Sequence, residues 1–257
     1  MKDFISPADR AILERHGLAG FDALWHLRLT SVDAPNENRG GWSQVCRLDL
    51  DGQGYYLKRQ CNHLTRGLAH PGGEPTFARE FRNIRRFRAQ GVPTLHAAFF
   101  ARRRLPGEIA GRRDDCAILL TRALDGWRAM GEWLAGWASL AGETRARLLV
   151  ACGEIARRLH ACGLIHACFY PKHVFLRETA EGFEATLIDL EKVRFAWLGR
   201  RDRCRDLEQF FRHAAALSSR EIDIMLAAYL ADTPESAAVA AWRQYLAERR
   251  KKKDGGV

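Results

Sequence analysis

Residues 166–176 read HACFYPKHVFL, and residues 187–192 read LIDLEK. The first stretch gathers His166, Cys168 and His173 around Pro171 in a loop. The second closes an apolar run on a lone carboxylate, Asp189, 23 residues after His166. The other histidines (His16, His26, His63, His70, His96, His160 and His213) are scattered without metal-ligand spacing. The loop and the aspartate therefore concentrate the chemistry of the chain, and the elements around them decide the fold.

Upstream of the loop, ETRARLLVACGEIARRLHACG repeats Leu148, Leu149, Cys152, Ile155, Ala156 and Leu159 on one stripe and stops at Gly163, which predicts a long helix. Before it, MGEWLAGWASL is also helical in texture. Downstream, VFLRE and FEATLIDL predict two short strands around a Glu181-Gly182 turn, with helices from there onward. The first third reads differently. In WSQVCRLDL, Cys46, Leu48 and Leu50 alternate with Val45, Arg47 and Asp49; DGQG supplies a turn, and YYLKRQ begins the return strand of a hairpin. A glycine and proline stretch from Gly67 to Pro75 separates this hairpin from TFAREFRNIRRFRAQG, where Phe77, Phe81 and Ile84 recur at helical spacing until Gly91 and Pro93. LHAAFFARRR and CAILLTRAL predict a further strand pair. The fold class is thus α+β: a small β-rich lobe over 1–124, a larger mainly helical lobe over 125–247, and a flexible basic tail over 248–257.

At 257 residues, 47% hydrophobic and 28% charged, the chain can bury a sizeable core. No run of eighteen apolar residues is present and the N-terminal stretch does not resemble a signal peptide, so a cytoplasmic protein is expected. The seven cysteines, Cys46, Cys61, Cys116, Cys152, Cys162, Cys168 and Cys204, lack any C-x-x-C pair and read as reduced thiols. A formal charge of +10 suits an anionic partner, and the terminal AERRKKKDGGV suits contact with acidic membrane. Nucleic acid is disfavoured, because the aromatics do not interleave with the basic patches.

In order of parts the chain resembles the protein-kinase-like fold, and within it the bacterial lipopolysaccharide core kinases of the WaaP and InaA type. Where kinases carry His-Arg-Asp-x-x-x-x-Asn, this sequence has His166, Ala167, Cys168, Phe169, Tyr170, Pro171, Lys172 and His173. Asp189-Leu190-Glu191 stands where kinases carry the metal-binding Asp-Phe-Gly.

The resemblance implies a two-lobed kinase that uses ATP and Mg2+ to phosphorylate a sugar hydroxyl of the lipopolysaccharide core, or a related anionic glycolipid, with peripheral contact at the cytoplasmic face of the inner membrane. It implies Lys58, on the second hairpin strand, and Glu80, 22 residues later on the helix, as the pair that holds the nucleotide phosphates. Glu80 also stands out alone: it sits between Phe77 and Ile84 at the edge of an apolar stripe, where a carboxylate requires a cation. Gly40, Gly41 and Ser43 are the candidate phosphate loop, and backbone groups of residues 122–124 the candidate adenine contacts. Asp189 and His173 are implied as metal ligands, Cys168, His166 and Lys172 as catalytic groups, and Asp206 as the carboxylate that ties down the loop backbone. Cys168 occupies the place of the usual base, which leaves a working kinase, a nucleotide-binding pseudokinase or regulator, and a merely structural thiol as readings of that position.

Overall fold

The structure, a computed structural model, describes residues 3–254 other than 33, 35, 38, 39, 68, 69, 108–110 and 112, with backbone alone over 250–254. The chain divides into two compact units, Met1–Arg86 with Leu95–Asp125, and Phe87–Thr94 with Gly126–Val257.

The first unit contains β1 (Phe4–Ile5), α1 (Pro7–Arg15), α2 (Phe21–His26), β2 (Trp42–Leu50), β3 (Gln53–Cys61), β4 (Leu64–Gly67), β5 (His70–Pro75), most of α3 (Thr76–Ala89), β6 (Ala97–Pro106) and β7 (Arg113–Arg122). Its antiparallel sheet runs β1-β6-β7-β3-β2. The β2–β3 hairpin closes on Asp51 and Gly52, both with positive φ (49° and 79°), the two-residue turn whose twist matches that of the strands it joins. Alternation then sends Leu48, Leu50, Tyr55 and Leu57 into a core with Leu13, Leu24, Phe99 and Ile118. The stretch from Gly67 to Pro75 is not the plain separator expected: His70–Pro75 returns against Leu64–Gly67 as a short ribbon. A two-strand ribbon has free edges, so Pro71 and Pro75 need not donate to any ladder there.

The second unit contains β8 (Arg128–Ala129), α4 (Met130–Ala135), α5 (Gly142–Ala161), β9 (Leu164–Ile165), β10 (Val174–Thr179), β11 (Gly182–Leu187), β12 (Arg194–Phe195), α6 (Arg200–Arg212), α7 (Ser219–Leu230) and α8 (Ala237–Asp254). β11, β10 and β8 form one small sheet, and β12 pairs with β9. The expected lobe boundary at 124/125 shifts by one residue, and Phe87–Thr94 joins this second unit. The reason is a bridge to β11: Leu187 N–H donates to Pro93 O at 3.2 Å, and the Thr94 hydroxyl donates to Leu187 O at 2.9 Å. Helix α8 continues to Asp254, as the good helix formers Glu, Arg and Lys permit, and residues 255–257 of the expected tail lie outside the described residues. All seven cysteines are free thiols, as expected.

One feature of the first unit was not legible in the sequence. Asp9 of α1 is fully buried, and its carboxylate accepts from the Tyr55 hydroxyl at 2.9 Å and from Arg122 Nε at 2.7 Å, with His96 Nε2 at 2.6 Å. Burial alone would raise its pKa, but the bonds from Arg122, Tyr55 and His96 prevail and hold it below the ordinary aspartate value. A depressed folded-state pKa adds stability above the unfolded value that is lost as pH falls through the folded one. Asp9→Ala should therefore destabilise the protein by about 2 kcal/mol, because it leaves a buried tyrosine hydroxyl and a partly buried arginine without their acceptor. Thermal melts at neutral pH check the loss, and the gap between wild type and Asp9→Ala should narrow below about pH 4.

Candidate active site

In the first unit the outward face of β3 carries Lys58, and α3 turns Glu80 toward it. Lys58 Nζ lies 2.7 Å from Glu80 Oε1, with side-chain exposures of 17% and 3%. Buried Phe77 precedes Glu80 by almost one turn and Ile84 follows it by about one, so the carboxylate emerges from an apolar stripe onto a cation. The ring of Phe77 also lies 5.9 Å from the Lys58 ammonium. The two residues that the resemblance pairs thus form an ion pair.

The glycine turn behaves differently from its expected role. A Cβ on Gly41 would stand 2.2 Å from Cys61 O and 2.4 Å from Asn62 C, so this glycine is needed for the chain to cross its own backbone. Gly40, with φ of 72° and open space around its Cα, keeps the freedom to approach a ligand. Ser43 exchanges backbone hydrogen bonds with Asn36 at 2.9 Å in each direction. At residues 122–124, Arg122 N–H already donates to His96 O and Ala123 N–H to Gly54 O, at 2.9 and 2.8 Å, so those two donors are committed within the protein.

In the second unit, the loop from His166 to His173 hangs from α6. Asp206 is fully buried; its Oδ2 accepts from His166 N–H at 2.6 Å and its Oδ1 from Ala167 N–H at 2.8 Å. Ala167 has φ of 62°, a left-handed conformation that costs an alanine about 1 kcal/mol. Charge-assisted bonds to both amides outweigh that cost. His160 Nε2 lies 3.3 Å from the same carboxylate, and its Nδ1 3.0 Å from the Tyr229 hydroxyl.

His166, expected among the catalytic groups, is wholly buried. Its Nε2–H donates to Ile188 O at 2.9 Å, while burial pushes its pKa down. A neutral imidazole holding the carbonyl next to Asp189 positions the loop and cannot itself meet a substrate. Lys172, also expected there, is exposed. The cation whose charge the Cys168 sulfur influences is instead Lys192. Burial works to lower the pKa of Lys192, but the neighbouring Cys168 sulfur, with Glu191 and Asp189, raises it overall. Sequence reasoning overlooked Lys192, although it lies only three residues beyond Asp189.

His173 and Asp189 come together at the other end of the loop. His173 Nδ1 lies 2.9 Å from Cys168 O, a pure acceptor, so Nδ1 carries the proton. Burial lowers the pKa of His173, with the Asp189 charge opposing, so the neutral ring turns the lone pair of Nε2 toward Asp189 Oδ2 at 3.2 Å. Two acceptors so close, one of them a carboxylate 41% exposed, call for a cation between or beside them. Asp189 itself adopts the left-handed conformation, φ 58° and ψ 56°, which aspartate tolerates. Among the described residues no group of three or more His, Cys, Asp or Glu side chains could hold a metal. Asp189 offers the carboxylate oxygen that Mg2+ takes, with waters and substrate oxygens as its remaining ligands, whereas the imidazole nitrogen of His173 is a softer donor than that ion favours.

A family model, Lipopolysaccharide kinase (Kdo/WaaP) family, matches residues 22–229. The chain is 29% identical over 176 residues to Protein InaA of Escherichia coli (strain K12), covering 68% of this chain and 78% of that protein. A solved structure of WaaP in complex with acyl carrier protein superposes with a TM-score of 0.67 at 22% identity, covering 97% of this chain and 99% of that one, a likeness of fold. With most of its length matched, the chain belongs to the lipopolysaccharide kinase (Kdo/WaaP) family, and its class of activity is that of a kinase, a phosphotransferase.

Proposed function

We propose that the protein transfers the γ-phosphoryl group of ATP to a sugar hydroxyl of the lipopolysaccharide core at the cytoplasmic face of the inner membrane. The observation that carries the reading is the loop His166–His173, pinned by Asp206 so that Cys168 stands beside Lys192 while His173 meets Asp189. In this reading Lys58, oriented by Glu80, contacts the phosphates of ATP, with backbone at Gly40 approaching them. Asp189 and His173 would hold Mg2+, and the ion would neutralise charge on the phosphates. The acceptor oxygen bonds to the γ-phosphorus as the bond from that phosphorus to the β,γ-bridging oxygen breaks. Cys168 takes the hydroxyl proton as the acceptor oxygen attacks, with Lys192 as its neighbouring cation. Positioning and charge neutralisation supply most of the acceleration in such transfers, so a thiol in place of a carboxylate is compatible with turnover.

The acceptor is an anionic glycolipid, in keeping with the formal charge of +10. Among the described residues no helix is long and apolar enough to cross a membrane, and association with the bilayer is taken as peripheral.

ATP with Mg2+ should raise the melting temperature, and Lys58→Ala and Asp189→Asn should each reduce that rise. Because His173 is held below the usual imidazole value, the Mg2+-dependent part of the rise should persist at pH 6.5 and fade at lower pH, as the ring protonates and repels the ion. Calorimetry that detects no nucleotide binding with or without metal would remove this reading of the site.

Radiolabel transfer from ATP to purified lipopolysaccharide core tests the chemistry. Cys168→Ala should lower transfer by roughly 10²-fold or more with ATP affinity nearly unchanged, since a base touches the acceptor and not the nucleotide. Lys192→Met should slow alkylation of Cys168 by iodoacetamide several-fold at neutral pH, read on the Cys168 peptide by mass spectrometry. A wild-type protein that binds ATP yet labels no core acceptor, and is not activated by Cys168→Asp, would leave a nucleotide-binding protein of this fold and no transferase.

A further inference from the structure

The segment that follows Lys192 exposes apolar surface where the chemistry described so far has no use for it. Among the described residues five large hydrophobic side chains are exposed, and three of them, Phe195 at 45%, Trp197 at 79% and Leu198 at 59%, fall within four positions. Scattered single exposures need no explanation, but a cluster does.

The cluster is held rigidly. Phe195 pairs with Leu164 between β12 and β9, and Ala196 N–H donates to Gly163 O at 2.8 Å. Buried Asp202 accepts both terminal nitrogens of Arg194, at 2.8 and 3.0 Å, and also Leu198 N–H at 3.0 Å. The ring of Phe195 meets Trp197 edge to face at 5.7 Å. Backbone and ion pair thus fix three apolar side chains in water instead of folding them inward.

Their setting is cationic. Residues 192–205 carry Lys192, Arg194, Arg200, Arg201, Arg203 and Arg205 against the single carboxylate of Asp202, six minus one, or half the formal +10 of the whole chain. Asp202 is neutralised by Arg194, while Arg200, Arg201 and Arg205 are exposed. Three side chains on one loop are far fewer than the roughly 20–30 residues a side of a stable protein interface. They suffice for shallow insertion at a lipid headgroup layer, where tryptophan and phenylalanine rings are favoured and arginines meet phosphates.

We propose that Phe195, Trp197 and Leu198 insert into the headgroup region of an anionic bilayer, with Arg201 and Arg205 on its phosphates. The inference does not rest on the nucleotide site, and its test reads binding without turnover.

The full chain should cosediment with phosphatidylcholine vesicles containing about one third phosphatidylglycerol, bind pure phosphatidylcholine weakly, and lose affinity as salt rises. Trp197→Ala should lower that binding by about tenfold, and Arg201→Gln with Arg205→Gln by roughly 25-fold, at roughly fivefold per cation. Unchanged melting temperatures would exclude misfolding as the cause. Trp197→Phe should retain binding yet lose the tryptophan quenching by shallow brominated lipid that wild type shows. Wild-type failure to bind anionic vesicles would overturn the proposal. So would binding that survives Trp197→Ala but vanishes when residues 250–257 are removed, which would assign it to the basic terminus. Concentration-dependent self-association abolished by Trp197→Ala, without vesicle binding, would mark the patch as a protein contact and would likewise sink it.

Discussion

A single buried carboxylate organises the chemistry of the second unit. Asp206 gives one oxygen to the amide of His166 and the other to the amide of Ala167, and so holds a left-handed alanine that would otherwise relax. Because a buried carboxylate without donors is strongly disfavoured, loop and helix α6 stabilise each other: the loop satisfies the charge, and the charge fixes the loop. Everything with reactive potential follows from that geometry. The turn at Ala167 presents Cys168, the carbonyl of Cys168 fixes the tautomer of His173, and the free nitrogen of His173 faces Asp189.

The two histidines of the loop show how burial assigns roles to identical side chains. Both have lowered pKa values, chiefly through desolvation, and their rings stack at 5.8 Å. His166 spends its donor on Ile188 O and is closed to solvent, which makes it a brace for the strand end that carries Asp189. His173 gives its donor to the loop itself and leaves a lone pair beside the Asp189 carboxylate. The first unit applies the same economy to Asp9, whose charge is met by Arg122, Tyr55 and His96 from three different strands or their flanks.

The family match and the thiol at the base position are compatible in physical terms. Phosphoryl transfer depends mainly on alignment and on neutralising charge, so the residues most constrained are those that orient phosphates and metal. Lys58 is paired with Glu80, and Asp189 lies against His173. Cys168 has Lys192 as its neighbouring cation.

Local signals carried much of this. The alternation in residues 42–60, the Asp-Gly turn, the stripe of α5 and the spacing from Lys58 to Glu80 are short-range patterns, and short-range patterns are what periodicity and turn chemistry report. Asp206 was legible only through resemblance to kinases, because a lone aspartate on a polar helix face looks like any surface acid. What tertiary structure alone decided depends on which distant atoms meet. Gly41 is a crossing point because residues 61–63 pass beneath it, Lys192 and not Lys172 reaches Cys168, and Asp9 is buried because Arg122, 113 residues away, folds over it. No window of sequence contains both partners of such contacts, so residue types and spacing fixed the elements while packing fixed the pairings.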